Sequence, residues 1–340
     1  MKISYRYIQY AGYINNIINI DKTIKFHLSL FLTVILIVNL FFMPTVSAET
    51  GNIPNSVNTV NFVNSVSTVT SVQESQVVFE NEKARIDFTD SNKTGTVKIN
   101  ALSKSDKRIK VSIAKNNQNS QIYTYDLKND ATAEIYPLQM GNGEYIIEVL
   151  FQTANIRYRV GLTAEYTLNL SDANAPFLNP NQYVNYSEYS KISQKAAELT
   201  ENCKSDLEKV EEIYKFVIHS LEYDENKAGA MKSGYLPSVD AVVDSGKGIC
   251  FDYAAVFAAM LRSQNIPAKL VMGYISTNAY HAWNEIYLKD HGGKFTINNM
   301  KFDGKKFERV DTAFDSSSKS NKKVLQFIGD GTNYTKFQEY

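Results

Sequence analysis

Between Arg157 and Leu170 the chain alternates for fourteen residues. The even positions Tyr158, Val160, Leu162, Ala164, Tyr166, Leu168 and Leu170 are apolar. None of the odd positions, Arg157 to Asn169, is large and apolar. A period of two predicts one long β-strand with a buried and a wet face, because successive side chains leave a strand on opposite sides. The same period appears at Ile109, Val111 and Ile113, and at Tyr145, Ile147, Val149 and Phe151 after the turn signal Gly141-Asn142-Gly143. Several such strands in one stretch predict an all-β, sandwich-like domain over residues 77–172. Pro176 and Pro180 then mark a linker. After Ser187 the period turns helical, so one chain holds two kinds of fold.

The predicted helices run from Ser190 to Asn202, from Asp206 to Glu222 and from Cys250 to about Ser263. A Gly- and Ser-rich loop is expected from Asp224 to Gly248. Strands are expected at Ala268–Ser276, His281–Leu288 and Lys306–Asp311. Helices first and an antiparallel sheet after make residues 188–340 an α+β domain.

The first 76 residues read differently. Leu28–Met43 is a 16-residue apolar run broken only by Ser29, Thr33 and Asn39, with Lys22, Lys25 and His27 before it. Pro44 and then Val46-Ser47-Ala48 follow it. That is the order of a secretory signal, and at about 1.5 Å per residue the run is short for a membrane span. Residues 1–48 are therefore expected to be a signal peptide, with an uncleaved N-terminal anchor as the rival, and the chain to be secreted or held at the cell surface. Residues 49–76, rich in Asn, Ser, Thr and Val, are expected to be a flexible spacer.

Charge excludes partners more than it selects them. The chain carries 36 Lys+Arg and 36 Asp+Glu; without residues 1–48 the balance is 32 against 35. Neither figure favours nucleic acid, and membrane contact is expected only through the N-terminal segment. Two cysteines cannot make a disulfide framework or a four-ligand zinc site, and no histidine has metal-ligand spacing.

Chemistry concentrates in the last third. Cys250 follows Gly246-Lys247-Gly248-Ile249 and opens an apolar helix. Helix N-terminal amides favour negative charge, so a thiol there is placed for nucleophilic attack and an oxyanion for stabilisation. His281 begins a strand that also carries Trp283 on the same face, and Asp311 ends a later one. Each residue alone fits ordinary packing or turn capping. Together they supply a nucleophile, a base and an orienting carboxylate.

Three blocks resemble the transglutaminase-like superfamily, whose fold is similar to papain-type cysteine proteases. They are Gly248-Ile249-Cys250-Phe251-Asp252-Tyr253-Ala254, extended by Met260 to Lys269; His281-Ala282-Trp283-Asn284-Glu285-Ile286; and Val310-Asp311-Thr312-Ala313-Phe314-Asp315. The resemblance covers roughly residues 188–316 and implies a papain-like α+β core. It assigns Cys250, His281 and Asp311 the roles of nucleophile, base and orienter. It also implies acyl transfer on a protein or peptide amide, a substrate expected in the cell envelope. Crosslinking, deamidation and proteolysis all stay open. A catalytically idle binding module is the alternative.

Trp283 is assigned to a wall of the substrate cleft, with sheet packing the other reading. No cofactor is expected; some relatives use calcium, but no calcium-loop spacing occurs. The chain departs from the pattern at Asn265, where Gly is usual, at Thr312, where Pro is usual, and in the long stretch Lys289–Lys306. Cys203 is expected to be a free thiol.

Overall fold

The computed structural model describes residues 76–116, 121–232, 234–288, 295–298, 300–302, 307–319, 321–329 and 332–340. The expected signal segment and the expected spacer up to residue 75 lie outside the described residues.

Residues 78–168 form two four-stranded antiparallel sheets. The strands are β1 Val78–Glu80, β2 Ala84–Asp87, β3 Thr96–Ala101, β4 Ile109–Lys115, β5 Tyr123–Leu127, β6 Glu134–Pro137, β7 Gly143–Ala154 and β8 Arg157–Leu168. One sheet has the order β1-β2-β3-β6 and the other β5-β4-β7-β8. The helical turn α1 (Ser91–Thr94) links β2 and β3. Alternation sets the buried faces: Ile109, Val111 and Ile113 of β4 and Tyr145, Ile147 and Val149 of β7 are buried. Phe88 stacks on Tyr166 at 4.2 Å, and Tyr125 meets Tyr136 at 5.1 Å, so side chains of the two sheets touch.

The long strand differs from its pattern in one respect. Its alternating residues are buried only toward the end, at Ala164 and Leu168, while Val160 is 46% exposed. β8 is an edge strand whose pairing with β7 shifts register between Val149 and Leu150. Such a bulge bends a strand away from its neighbours, so its first half overhangs the core.

The expected linker is packed. Phe177 and Val184 are buried, and residues Ala175–Phe177 form a 3₁₀ turn. Arg262, 3% exposed, donates to the carbonyls of Asn179 (2.7 Å), Ala268 (2.8 Å) and Tyr340 (2.7 Å).

The second part begins with α2 (Lys191–Thr200) and α3 (Asp206–Ser220). Ser205 caps α3 by accepting from the Glu208 amide at 3.2 Å. The expected loop from Asp224 to Gly248 contains two helices, α4 (Glu225–Ala230) and α5 (Val239–Ser245). Their apolar positions are too few to show a helical period. Their ends are set by caps instead: Asp224 accepts from the Lys227 amide at 2.9 Å, and Gly246 adopts φ +64° after α5. Strands β9 (Glu222–Tyr223) and β10 (Lys247–Gly248) pair in parallel and lead into α6 (Cys250–Ser263).

Helix α6 is buried from Cys250 to Arg262. A helix apolar on all sides belongs in a core, and α6 packs on the sheet β15-β12-β11-β16. These strands are β11 Ala268–Ile275, β12 Tyr280–Ile286, β15 Glu308–Val310 and β16 Tyr334–Glu339; the hairpin β13 Phe295–Ile297 and β14 Met300–Phe302 lies between in sequence. Asn265 takes φ +61° in the turn after α6, a conformation that Asn tolerates in place of Gly. Helices α7 (Thr312–Ser318) and α8 (Lys322–Gly329) precede β16. Thr312 is the first residue of α7, where the amide needs no intrahelical partner, so Pro and Thr both fit there.

β16 closes the sheet where sequence patterning offered no signal. A Cβ on Gly273 would lie 2.1 Å from the Thr335 carbonyl and 2.7 Å from the Trp283 ring. That approach, beside a register shift in the β11–β16 pairing, is open only to glycine.

Candidate active site

Cys250 is the first residue of α6, and the turn before it is held from three sides. Asp252 accepts from the Ile249 amide (2.9 Å), from Lys227 Nζ (2.6 Å) and from Tyr235 Oη (2.6 Å). Gly248 makes room: a Cβ there would meet the Asp252 Cβ at 2.8 Å. Asp252 is wholly buried, so its charge is tolerated only because those donors satisfy it. The Asp252→Ala variant is expected to lose about 2–3 kcal/mol of stability in urea unfolding. Lys227 keeps some solvent, with 27% of its side chain exposed, which limits the loss.

His281 lies on β12, opposite Gly273 of β11. Its Nε2 is 2.6 Å from Asp311 Oδ2. Cys250 is a side-chain neighbour of the ring and, like it, lines the cleft. Both groups are nearly enclosed, Cys250 at 2% and His281 at 1% exposure. Burial pushes the imidazole pKa down, but the charge and hydrogen bond of Asp311, followed by the contact with Cys250, outweigh it and raise it to about 10.

Asp311 caps α7. Its Oδ1 accepts from the Phe314 amide at 3.0 Å, while its Oδ2 accepts from Tyr334 Oη at 2.8 Å as well as facing His281. Burial first, and then the Asp311 charge, hold the Tyr334 phenol well above its usual pKa, so it stays a neutral donor. Asp315, one turn on, accepts from Tyr214 Oη and from Asn298 Nδ2 (2.6 Å). The stretch after Lys289 thus ties into α7 through Asn298.

The structure therefore brings Cys250, His281 and Asp311 together, with His281 held by Asp311 and sharing a cleft with Cys250. Trp283 has a different place. It is 1% exposed, stacks beside His281 (6.2 Å between centroids, 22°) and meets Tyr334 edge-on at 5.0 Å. It packs behind His281 and is not among the residues lining the cleft. Strand alternation gives the face of a side chain but not how far along that face the opening extends.

Cys250 and His281 border a cleft of about 290 Å³, walled by Tyr183, Tyr235, Phe251, Tyr280 and Tyr340. Sequence reasoning missed Tyr334, Tyr235, Lys227 and the role of Asp252. Only Asp252 left a local trace, an acid three residues after a helix cap. Cys203 is a free thiol, as is Cys250. Burial first, and then Glu208 and Glu212, raise the Cys203 pKa. Among the described residues, no cluster of three His, Cys, Asp or Glu could hold a metal ion.

Residues 193–298 match the family model described as the transglutaminase-like superfamily. The match includes Cys250 and His281 and stops before Asp311. The kyphoscoliosis peptidase of Mus musculus is 28% identical over 111 residues, 29% of this chain and 17% of that protein. The chain thus spans less than a fifth of that relative's length. Three solved structures show weaker likeness. A candidate cysteine protease from Cytophaga hutchinsonii has 16% identity and a TM-score of 0.35, covering 72% of this chain and 79% of its own. A candidate protease from Parabacteroides distasonis has 13% identity and a TM-score of 0.26, covering 60% of each chain. The transglutaminase of red sea bream has 11% identity and a TM-score of 0.29, covering 64% of this chain and 47% of its own.

Proposed function

We propose that this chain, which carries a transglutaminase-like core over residues 193–298, is a cysteine-dependent acyl-transfer enzyme acting on protein or peptide amides. One observation supports the reading above the others: His281, held by Asp311 at 2.6 Å, lines the same cleft as Cys250 and has that thiol as a neighbour. In this reading His281 takes the Cys250 proton, and Asp311 holds the ring and balances its charge. The sulfur attacks the amide carbonyl, forming the S–C bond. The first-turn amides of α6 are aimed at the negative oxygen that develops. His281 then gives its proton to the departing nitrogen as the C–N bond breaks, and a thioester remains. An amine that attacks the thioester gives a new amide; water gives a carboxylate. In either case His281 takes the incoming proton and Cys250 leaves as the thiol.

Incubation of the purified chain with a Gln-containing peptide and a labelled amine tests this by mass spectrometry. Amine incorporation, a gain of about one dalton at Gln, or chain cleavage each supports acyl transfer, provided Cys250→Ala abolishes it. No change in any peptide, with Cys250 no more reactive to iodoacetamide than Cys203, overturns it.

We further place the protein outside the cytoplasm, secreted or at the cell surface, with an envelope protein or peptide as substrate. Leu28–Met43 followed by Val46-Ser47-Ala48 supports this. A mature N-terminus at Glu49 in exported protein is the expected finding.

A further inference from the structure

The cleft beside Cys250 is not built from the transglutaminase-like core alone. One wall comes from the β-sheet part, through Arg108 just before β4, Lys110 on β4, and Asp126 on β5. Asp126 lies between the two cations, 3.0 Å from Arg108 Nη2 and 3.1 Å from Lys110 Nζ. Arg108 reaches across to the loop after α4, where a Cβ on Gly234 would sit 3.7 Å from its Nη2. Lys232 of that loop also lines the cleft. The lining thus holds three cations and one carboxylate, beside five Tyr and Phe rings. The chain as a whole carries no net charge, so this local excess is a property of the cleft and not of the surface at large.

We propose that Arg108 and Lys110 form a carboxylate subsite: the peptide that presents its amide to Cys250 carries a carboxylate seated against them. The carboxylate belongs either to an Asp or Glu side chain or to a free C-terminus. This rests on the acyl-transfer reading of the cleft. The Arg108 guanidinium is the group suited to a planar carboxylate, since its donors form a fixed fork. Asp126 orients both cations before the substrate arrives and neutralises only part of their charge. The partial exposure of Arg108 (60% of its side chain) and Lys110 (23%) leaves both available to a ligand. In this arrangement the β-sheet part selects the substrate and the core carries out the chemistry.

The test uses the full chain with Cys250→Ala and three peptides of one length, titrated by calorimetry. One holds Glu with an amidated end, one holds Gln with an amidated end, and one is the Gln peptide with a free C-terminus. At low salt an acidic peptide is expected to bind about fivefold tighter than the amidated Gln peptide. Which acidic peptide gains identifies the source of the carboxylate. The advantage is expected to vanish in Arg108→Gln and in about 0.5 M salt, and to survive in Arg108→Lys. It is expected to grow in Asp126→Asn, a gain that misfolding would not produce. Equal binding of all three peptides, no binding, or a preference unchanged in Arg108→Gln overturns the subsite. Iodoacetamide labelling of Cys250 in the unaltered chain reads the nucleophile separately. Failure there counts against acyl transfer, while the titration still decides the subsite.

Discussion

Asp311→Asn is expected to lower kcat/KM for amide acyl transfer by about 10²–10⁴-fold while leaving the chain folded. The reason lies in the two oxygens of Asp311. Oδ1 accepts from the Phe314 amide, and Oδ2 accepts from Tyr334 and faces His281 Nε2. An asparagine has one acceptor atom. If its oxygen serves the cap, its NH₂ group points at Nε2 and Tyr334, and the imidazole proton moves to the side facing Cys250. If its oxygen serves His281, the helix cap is lost and the compensating negative charge is gone in any case.

The same substitution is expected to change the pH profile. His281 is raised from 6.5 to about 10, chiefly by Asp311 once the opposing effect of burial is overcome. A group whose folded pKa is raised stabilises the fold fully below its unfolded pKa. That contribution fades as pH climbs through the folded value. Thermal stability of the unaltered chain is therefore expected to decline from about pH 6.5 toward pH 10, and Asp311→Asn to flatten that decline. A rate unchanged within threefold, measured with a substrate of the unaltered chain, would falsify the orienting role.

Arg262→Ala is expected to cost about 3–5 kcal/mol in urea unfolding, the larger of the two stability effects anticipated. Arg262 is buried and donates to three carbonyls, those of Asn179, Ala268 and Tyr340. These belong to the connecting segment, the start of β11 and the residue after β16. Truncation removes the guanidinium donor from all three, of which the Tyr340 oxygen keeps the Leu270 amide at 2.9 Å, and takes a long apolar stem from a packed interior. Burial lowers the guanidinium pKa to about 10, so the residue remains charged at neutral pH. Arg262→Lys is expected to recover only part of the loss, because one ammonium cannot span three acceptors fixed by a planar fork. A change below about 1 kcal/mol would show that water replaces the guanidinium at little cost.

Much of this arrangement was legible in the sequence, for reasons that differ from place to place. Period-two alternation revealed β4, β7 and β8, since β4, β7 and the second half of β8 have a buried and a wet face. Helix α6 was legible because glycines precede it and an apolar run fills it. The order Cys250, His281, Asp311 could be read because each residue begins or ends a regular element. What stayed hidden depends on contacts distant in sequence. Tyr334 meets Asp311 only because β16 pairs with β11 across the sheet. Arg108 reaches the cleft only because β5 packs near the end of β16, with Tyr123 against Tyr340 at 5.6 Å. Trp283 shares a strand face with His281, yet it faces the interior. The overhang of β8 likewise came from its edge position, which alternation does not encode.

The place of β16 also bears on when the site comes into being. A chain emerging from the ribosome holds Cys250, His281 and Asp311 once residue 311 has appeared. Until Tyr334–Glu339 follows, β11 has an open edge and Asp311 has no phenol beneath it. Synthesis order thus puts the brace after the three residues that it supports. The surroundings of Cys250 and His281 are therefore completed later than the two side chains themselves.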